Sequence, residues 1–165
     1  MIGKFPNTYT FTKNLAEKSL FKKRGDLRVV LLRPAIIASS LKDPFPGWTD
    51  SLSAAGGISL MTGLGLINFI NARGYNRFDV IPVDIVTNSI LVATAYSVTQ
   101  PPTMEVYNCG TSNVNPITMA GYKDSMIKNF EYHAFNRQAL PVNLEFVENI
   151  TEYKIKKAIH NDIPL

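Results

Sequence analysis

Tyr9 and Lys13 stand four residues apart in the stretch Asn7-Thr8-Tyr9-Thr10-Phe11-Thr12-Lys13. On a helix that spacing sets a phenol and an ammonium on one face. A lysine beside a tyrosine favours the phenolate electrostatically, and the couple suits proton transfer during reduction of a carbonyl or oxidation of an alcohol. Spacing alone is a weak signal, because Tyr153 and Lys157 repeat it. That second pair lies in a lysine-rich stretch with no buried strand after it and reads as a chance match on a solvated face. The first pair differs by its context: a helix start, a stripe of small residues suited to close packing, and a parallel-type strand ending in Arg33-Pro34.

The elements that must position this pair follow from periodicity. From Thr8 to Lys23 the pattern is helical, with Tyr9, Lys13, Ala16 and Leu20 on one narrow stripe and Gly25 as the stop. The run from Leu27 to Ile37 is β-branched and apolar between turn formers, so it is expected as a strand buried on both faces of a parallel sheet. A helix feeding such a strand is half of a βαβ unit whose first strand would lie before Met1. Two prolines and a glycine make Asp43 to Asp50 a loop, ordered if its aromatics pack. Beyond it the pattern predicts an apolar helix within Ile58–Ala72 and a strand over Phe78–Val83. Asp84 is placed as the N-cap of a helix running to Val98, which Pro101 and Pro102 follow. A strand at Glu105–Cys109, a polar turn over Gly110–Pro116, a helix over Ile117–Tyr132, a strand-like Leu144–Val147 and a basic helix from Glu152 to His160 complete an α/β reading.

At 165 residues the chain is expected to form a single domain, 1–165. The net charge is +4, but the 17 Lys and Arg are scattered rather than massed, which argues against a nucleic-acid partner. A single cysteine, Cys109, precludes an internal disulfide framework, fits a reducing compartment and reads as a small buried hydrophobe. Lys4 and Pro6, with no apolar run after them, do not form a signal peptide. No charge occurs between Asp50 and Arg73, yet glycines, asparagines and serines dilute that stretch below a membrane span. Gly56, Gly57, Gly63 and Gly65 do not make a dinucleotide fingerprint, which must follow a core strand and open a helix. His133 and His160 have no ligand-spaced partners, so no metal site is expected. Ser39 and Ser40 have no nucleophile elbow around them and read as ordinary loop hydroxyls.

Five blocks together resemble a known family. Asn7 to Glu17 and then Val30-Leu31-Leu32-Arg33-Pro34-Ala35-Ile36-Ile37 are similar to the catalytic helix and following strand of the alcohol-forming fatty acyl-CoA reductases. Asp43-Pro44-Phe45-Pro46-Gly47-Trp48-Thr49-Asp50, Ile81 to Asn88, and Val106-Tyr107-Asn108-Cys109 with Asn115-Pro116 agree in order and spacing, so the resemblance covers roughly Pro6 to Pro116. The proline–aromatic–tryptophan block is the most specific, because general short-chain dehydrogenases share only the Tyr, the Lys and the broad sheet pattern.

The resemblance implies a partial Rossmann-like fold of the extended short-chain dehydrogenase type, in which NADPH reduces a long-chain acyl-CoA to the aldehyde and then the alcohol. It implies Tyr9 as proton donor, Lys13 as the residue holding the nicotinamide ribose, and Pro34, Ala35 and Ile36 lining the nicotinamide. The Phe45, Pro46, Gly47 and Trp48 loop would border the acyl or CoA channel. In that family the glycine-rich NADPH loop and a catalytic serine or threonine precede the Tyr-Lys helix, where this sequence has only Met1 to Pro6. Leu64 and Asn68 replace a customary lysine and arginine, weakening any anion contact there. The stretch Tyr153 to Pro164 resembles the approach to the family's C-terminal domain, so the chain is expected to be a fragment cut at both ends. Its partner is then the N-terminal reductase half or another subunit. The family's peroxisomal or endoplasmic-reticulum membrane location would be reached through segments outside this chain. The alternative reading is a non-catalytic, reductase-like subunit of a larger assembly.

Overall fold

The computed structural model describes residues 3–52, 55–133 and 141–162. In chain order the elements are α1 (Thr8–Lys23), β1 (Val29–Pro34), β2 (Ile36–Ala38), α2 (Ala55–Gly63), β3 (Phe69–Ile70), β4 (Val80–Pro82), α3 (Val83–Val98), β5 (Met104–Cys109), α4 (Met119–Tyr132), β6 (Glu145–Phe146) and α5 (Ile150–Lys157). A π-helical turn, Ala158–Asp162, extends α5. Contacts divide the chain into two compact units, Met1–Arg33 with Asn88–Asn108, and Pro34–Thr87 with Cys109–Leu165.

The first unit is built on α1. Asn7, in extended conformation, accepts the Thr10 N–H on its side-chain oxygen at 2.9 Å, which satisfies one of the first-turn donors a helix leaves open. Lys22 and Lys23 lie in the last turn, where cations complement the helix dipole, and Gly25 takes the left-handed φ of 55° just beyond the Arg24 cap. The Arg33 guanidinium holds the Glu17 carboxylate by two hydrogen bonds of 3.0 and 2.5 Å, tying α1 to the end of β1. β1 pairs with β5, and the Arg28 guanidinium donates to the Gln100 carbonyl at 2.7 Å.

Two expectations fail in this unit. The stripe Tyr9, Lys13, Ala16 and Leu20 is exposed, and the half-buried positions of α1 are Thr10, Phe11, Asn14 and Glu17. At about 100° per residue the inward face lies roughly a third of a turn away from that stripe. The apolar side chains of α1 are spread around its circumference, so the Phe11 contact with Phe5 (ring centroids 5.5 Å) and the Glu17–Arg33 pair set its orientation instead. Leu27 to Ile37 is also not one strand buried on both faces. The chain changes partners at Ala35, leaving β1 with β5 and β2 with β4, and Val29 to Leu32 are only half-buried. Burial on both faces requires a covering layer on each side of the sheet.

The second unit holds most of the core: Ala55, Ile81, Val86, Met126, Leu144 and Val147 are all less than 9% exposed. β2 and β4 run parallel in the register Ile36↔Val80 to Ala38↔Pro82, and β3 and β6 run parallel as Phe69↔Glu145 and Ile70↔Phe146. The short apolar helix expected within Ile58–Ala72 is α2, which starts earlier, at Ala55, and ends at Gly63; Gly65, at φ 75°, then turns the chain toward β3. α2 packs on α4, whose first turn is capped by the Thr118 hydroxyl accepting the Gly121 N–H at 3.1 Å. Asp79 accepts the Thr111 and Ser112 N–H groups at 2.8 and 3.2 Å, and these hydrogen bonds, Thr111 first, hold its carboxyl below the usual range. Of the tail compared with the family, Ile163 and Pro164 lie outside the described residues.

Candidate functional site

In the first unit, the N-cap at Asn7 places Tyr9 and Lys13 within the opening turns of α1. The Lys13 ammonium sits 5.6 Å from the centroid of the Tyr9 ring, within the range of a cation–π contact. Tyr9 is 68% exposed, and Lys13 forms no ion pair among the described residues. Both groups are therefore open to a ligand.

In the second unit, Ala35 donates its N–H to the Cys109 carbonyl at 2.8 Å and Ile36 donates to the Asp79 carbonyl at 3.1 Å. Their amide hydrogens are consumed by the fold and are not available to a ligand. Ser39 follows β2, and the loop through Phe45, Pro46, Gly47 and Trp48 comes next, with a cis bond at Asp43–Pro44.

That loop is held by two residues that sequence reasoning undervalued. The Ser40 hydroxyl, on a residue only 4% exposed, donates to the Phe45 carbonyl at 2.6 Å and accepts the Trp48 N–H at 3.2 Å. Its backbone adds the pair Ser40 N–H to Trp48 carbonyl and Gly47 N–H to Ser40 carbonyl, both 2.9 Å. Asp84 is not an N-cap, since α3 begins one residue earlier at Val83. Its carboxylate instead accepts the N–H groups of Leu41, Lys42 and Asp43 at 3.0, 2.8 and 3.2 Å, besides that of Ile85 at 3.1 Å. These hydrogen bonds, Leu41 first, lower its pKa to about 2 against the opposing effect of burial. The serine in a loop and the acid at a helix start were visible in the sequence, but a partner 43 positions away leaves no local signature.

A cleft of about 380 Å³ opens beside this loop. Gly47 and Trp48 line it, together with Ile37, Ser39, Ser59 and Tyr122, whereas Phe45, Pro46 and Pro34 to Ile36 do not. Phe45 is 58% exposed and Trp48 is half-buried, so only the second aromatic of the loop packs. The Ser59 and Tyr122 hydroxyls, missed in the sequence, lie 2.8 Å apart, and the Tyr122 ring packs edge-on against Phe78 with centroids 4.8 Å apart. Tyr9 and Lys13 thus come together in one unit, and the loop gathers around Ser40 in the other. Tyr153 and Lys157, on α5, are half-buried and exposed respectively.

The family model described as Male sterility protein, an NAD-binding domain, matches residues 1–90. Fatty acyl-CoA reductase 1 of Xenopus laevis is 34% identical over 165 residues, covering 99% of this chain and 32% of that protein. The human fatty acyl-CoA reductase 1 is 33% identical over the same span, and fatty acyl-CoA reductase 2 of Bos taurus is 34% identical over 150 residues, 90% of this chain. The chain spans about a third of the length of these curated relatives. A solved UDP-glucose 4-epimerase from Thermotoga maritima covers 88% of the chain at 17% identity and a TM-score of 0.46, a likeness too slight to carry an argument.

Proposed function

The chain belongs to the fatty acyl-CoA reductase family, through the NAD-binding domain described as Male sterility protein, and on that premise we propose that it carries the proton-donating part of a reductase converting long-chain acyl-CoA to fatty alcohol with NADPH. Such an alcohol would feed wax or ether-lipid synthesis. One observation carries the reading: an exposed phenol, Tyr9, one helical turn from an ammonium, Lys13, that has no ion-pair partner among the described residues.

Bound NADPH would supply the hydride. Tyr9 would donate its phenolic proton to the carbonyl oxygen as negative charge develops there. Lys13 would offer its ammonium to the hydroxyls of the nicotinamide ribose. Pro34, Ala35 and Ile36 would line the nicotinamide without donating amide hydrogens from Ala35 and Ile36, which the fold already uses. The sequence holds no G-x-G-x-x-G run, so the pyrophosphate would be held by residues outside it. By this reading the chain is a single partial domain of the parent enzyme. The location proposed with it is a peroxisomal or endoplasmic-reticulum membrane, as the resemblance implies; no helix among the described residues is long and apolar enough to cross one.

The test is an assay with NADPH and a long-chain acyl-CoA, run on the chain alone and on the chain supplemented with a separately expressed glycine-rich half. The chain alone is expected to show no turnover, and the complete enzyme to lose about 10²–10⁴-fold activity on Tyr9→Phe. Full activity in Tyr9→Phe would remove the catalytic role.

A second reading, a non-catalytic subunit, draws on Phe21, Leu27, Leu91 and Val92, each more than 60% exposed within the first unit. Such apolar surface favours association with another polypeptide. Sedimentation as a stable monomer with cooperative unfolding would count decisively against it.

A further inference from the structure

The net charge of +4, expected from the sequence to be scattered along the chain, is concentrated in one place. Residues 18–28 hold five of the 17 cations, Lys18, Lys22, Lys23, Arg24 and Arg28, against one acid, Asp26. The other twelve Lys and Arg are matched by twelve Asp and Glu. This stretch is the last part of α1 and the turn after it, all within the first unit. Lys18, Phe21 and Lys22 stand three and four residues apart and share a face of the helix, with Leu15 one turn before them. Leu15, Phe21 and Leu27 are each more than half exposed. The Leu27 N–H donates to the Arg24 carbonyl and the Arg24 guanidinium donates to the Leu27 carbonyl, both at 3.0 Å, so Leu27 is held against the end of the helix. None of the five cations forms an ion pair among the described residues.

Two other helices show what is particular here. α3 exposes Leu91 and Val92 but carries no lysine or arginine. α5 carries Lys154, Lys156 and Lys157, but Lys156 is held by both Glu145 and Glu152. At the end of α1, by contrast, cations without an ion-pair partner surround bare apolar side chains. Cations alone would suit any polyanion, and apolar side chains alone would suit another polypeptide. A partner that answers both, with negative charge at its surface and hydrocarbon directly beneath, is an anionic lipid bilayer.

We infer that this end of α1 docks on an anionic lipid surface, with Lys18, Lys22, Lys23 and Arg24 at the headgroups and Phe21 and Leu27 entering the layer just below them. The lysine stems reach along apolar surface while their ammonium groups stay among the headgroups. Each cation brought to such a surface contributes about fivefold in affinity. The contact is interfacial, since no helix among the described residues is long and apolar enough to cross a bilayer. The inference is independent of the reductase reading, because it uses neither Tyr9 nor a bound cofactor.

The test is cosedimentation of the chain with sucrose-loaded vesicles of phosphatidylcholine, either pure or containing about a third phosphatidylserine. Binding to the anionic vesicles is expected to be at least about tenfold tighter, and to weaken as salt rises from about 0.1 M to about 1 M and screening shortens. Lys22→Glu combined with Lys23→Glu is expected to cost at least about tenfold. Lys154→Glu combined with Lys157→Glu changes the net charge equally on α5 and should leave affinity within about twofold. Phe21→Ser combined with Leu27→Ser is expected to cost about tenfold without removing the salt dependence. All six positions are exposed, and far-UV circular dichroism checks that the variants fold. Equal binding to both kinds of vesicle, equal losses from the two charge reversals, or no loss with the serine pair would overturn the assignment. So would tighter binding to a DNA duplex than to the anionic vesicles. Failure to bind either vesicle would also overturn it and return Phe21 and Leu27 to association with another polypeptide.

Discussion

The Asp84 carboxylate accepts the backbone N–H of Leu41 at 3.0 Å across 43 residues of sequence, and the N–H groups of Lys42 and Asp43 converge on the same side chain. An acid at the start of α3 thereby anchors the loop that carries Trp48. The ionised form makes these bonds, which is why its pKa falls to about 2 from the ordinary 3.8.

Linkage gives the sign of the pH effect. A carboxyl whose folded-state pKa is depressed contributes stability that is fully present above its unfolded pKa of 3.8 and is lost as pH falls through about 2. Urea unfolding followed by Trp48 fluorescence should show the midpoint falling between about pH 4 and pH 2. Asp84→Asn should lower the midpoint at neutral pH and flatten that fall. Asp79, also depressed, keeps part of the slope in the variant.

Ser40→Ala removes the donor to the Phe45 carbonyl and the acceptor of the Trp48 N–H, both largely shielded from water. A cost of about 1–3 kcal/mol is expected, because buried polar groups lose their partner. Thermal unfolding measures it, and a red shift of Trp48 emission should accompany it as the loop opens.

Gly63→Ala places a Cβ against the ring of Phe130. Overpacking of this kind costs about 1–3 kcal/mol. The combination with Phe130→Leu should recover part of the loss, a non-additivity that a double-mutant cycle in urea would read.

Tyr9→Phe separates stability from chemistry. At 68% exposure the phenolic hydroxyl supports little of the fold, so unfolding free energy should stay within about 0.5 kcal/mol. Turnover of the complete reductase should drop by about 10²–10⁴-fold, and Tyr153→Phe should leave it unchanged. An equal effect of the two substitutions would show that the spacing, rather than the site, had been tested.

Signals that act over a few residues were readable along the chain. Gly25 after α1 and the prolines after α3 act within one or two turns of the backbone, so helices α1 and α3 and the nearness of Tyr9 to Lys13 are legible in the string, whereas β3 and the break between β1 and β2 are not. The blocks resembling the reductases likewise depend only on identity and order. Which face of α1 turns inward, where the Leu27–Ile37 run changes partners, and what Ser40, Ser59, Asp84 and Tyr122 do were settled only by folding. Each depends on a neighbour supplied from elsewhere in the chain: Arg33 for Glu17, the β4 and β5 strands for β2 and β1, the Leu41 amide for Asp84, and Ser59 for Tyr122 across 63 positions. A hydrogen bond is chosen by distance in space, and spacing in sequence constrains that distance only within a turn or two of the backbone.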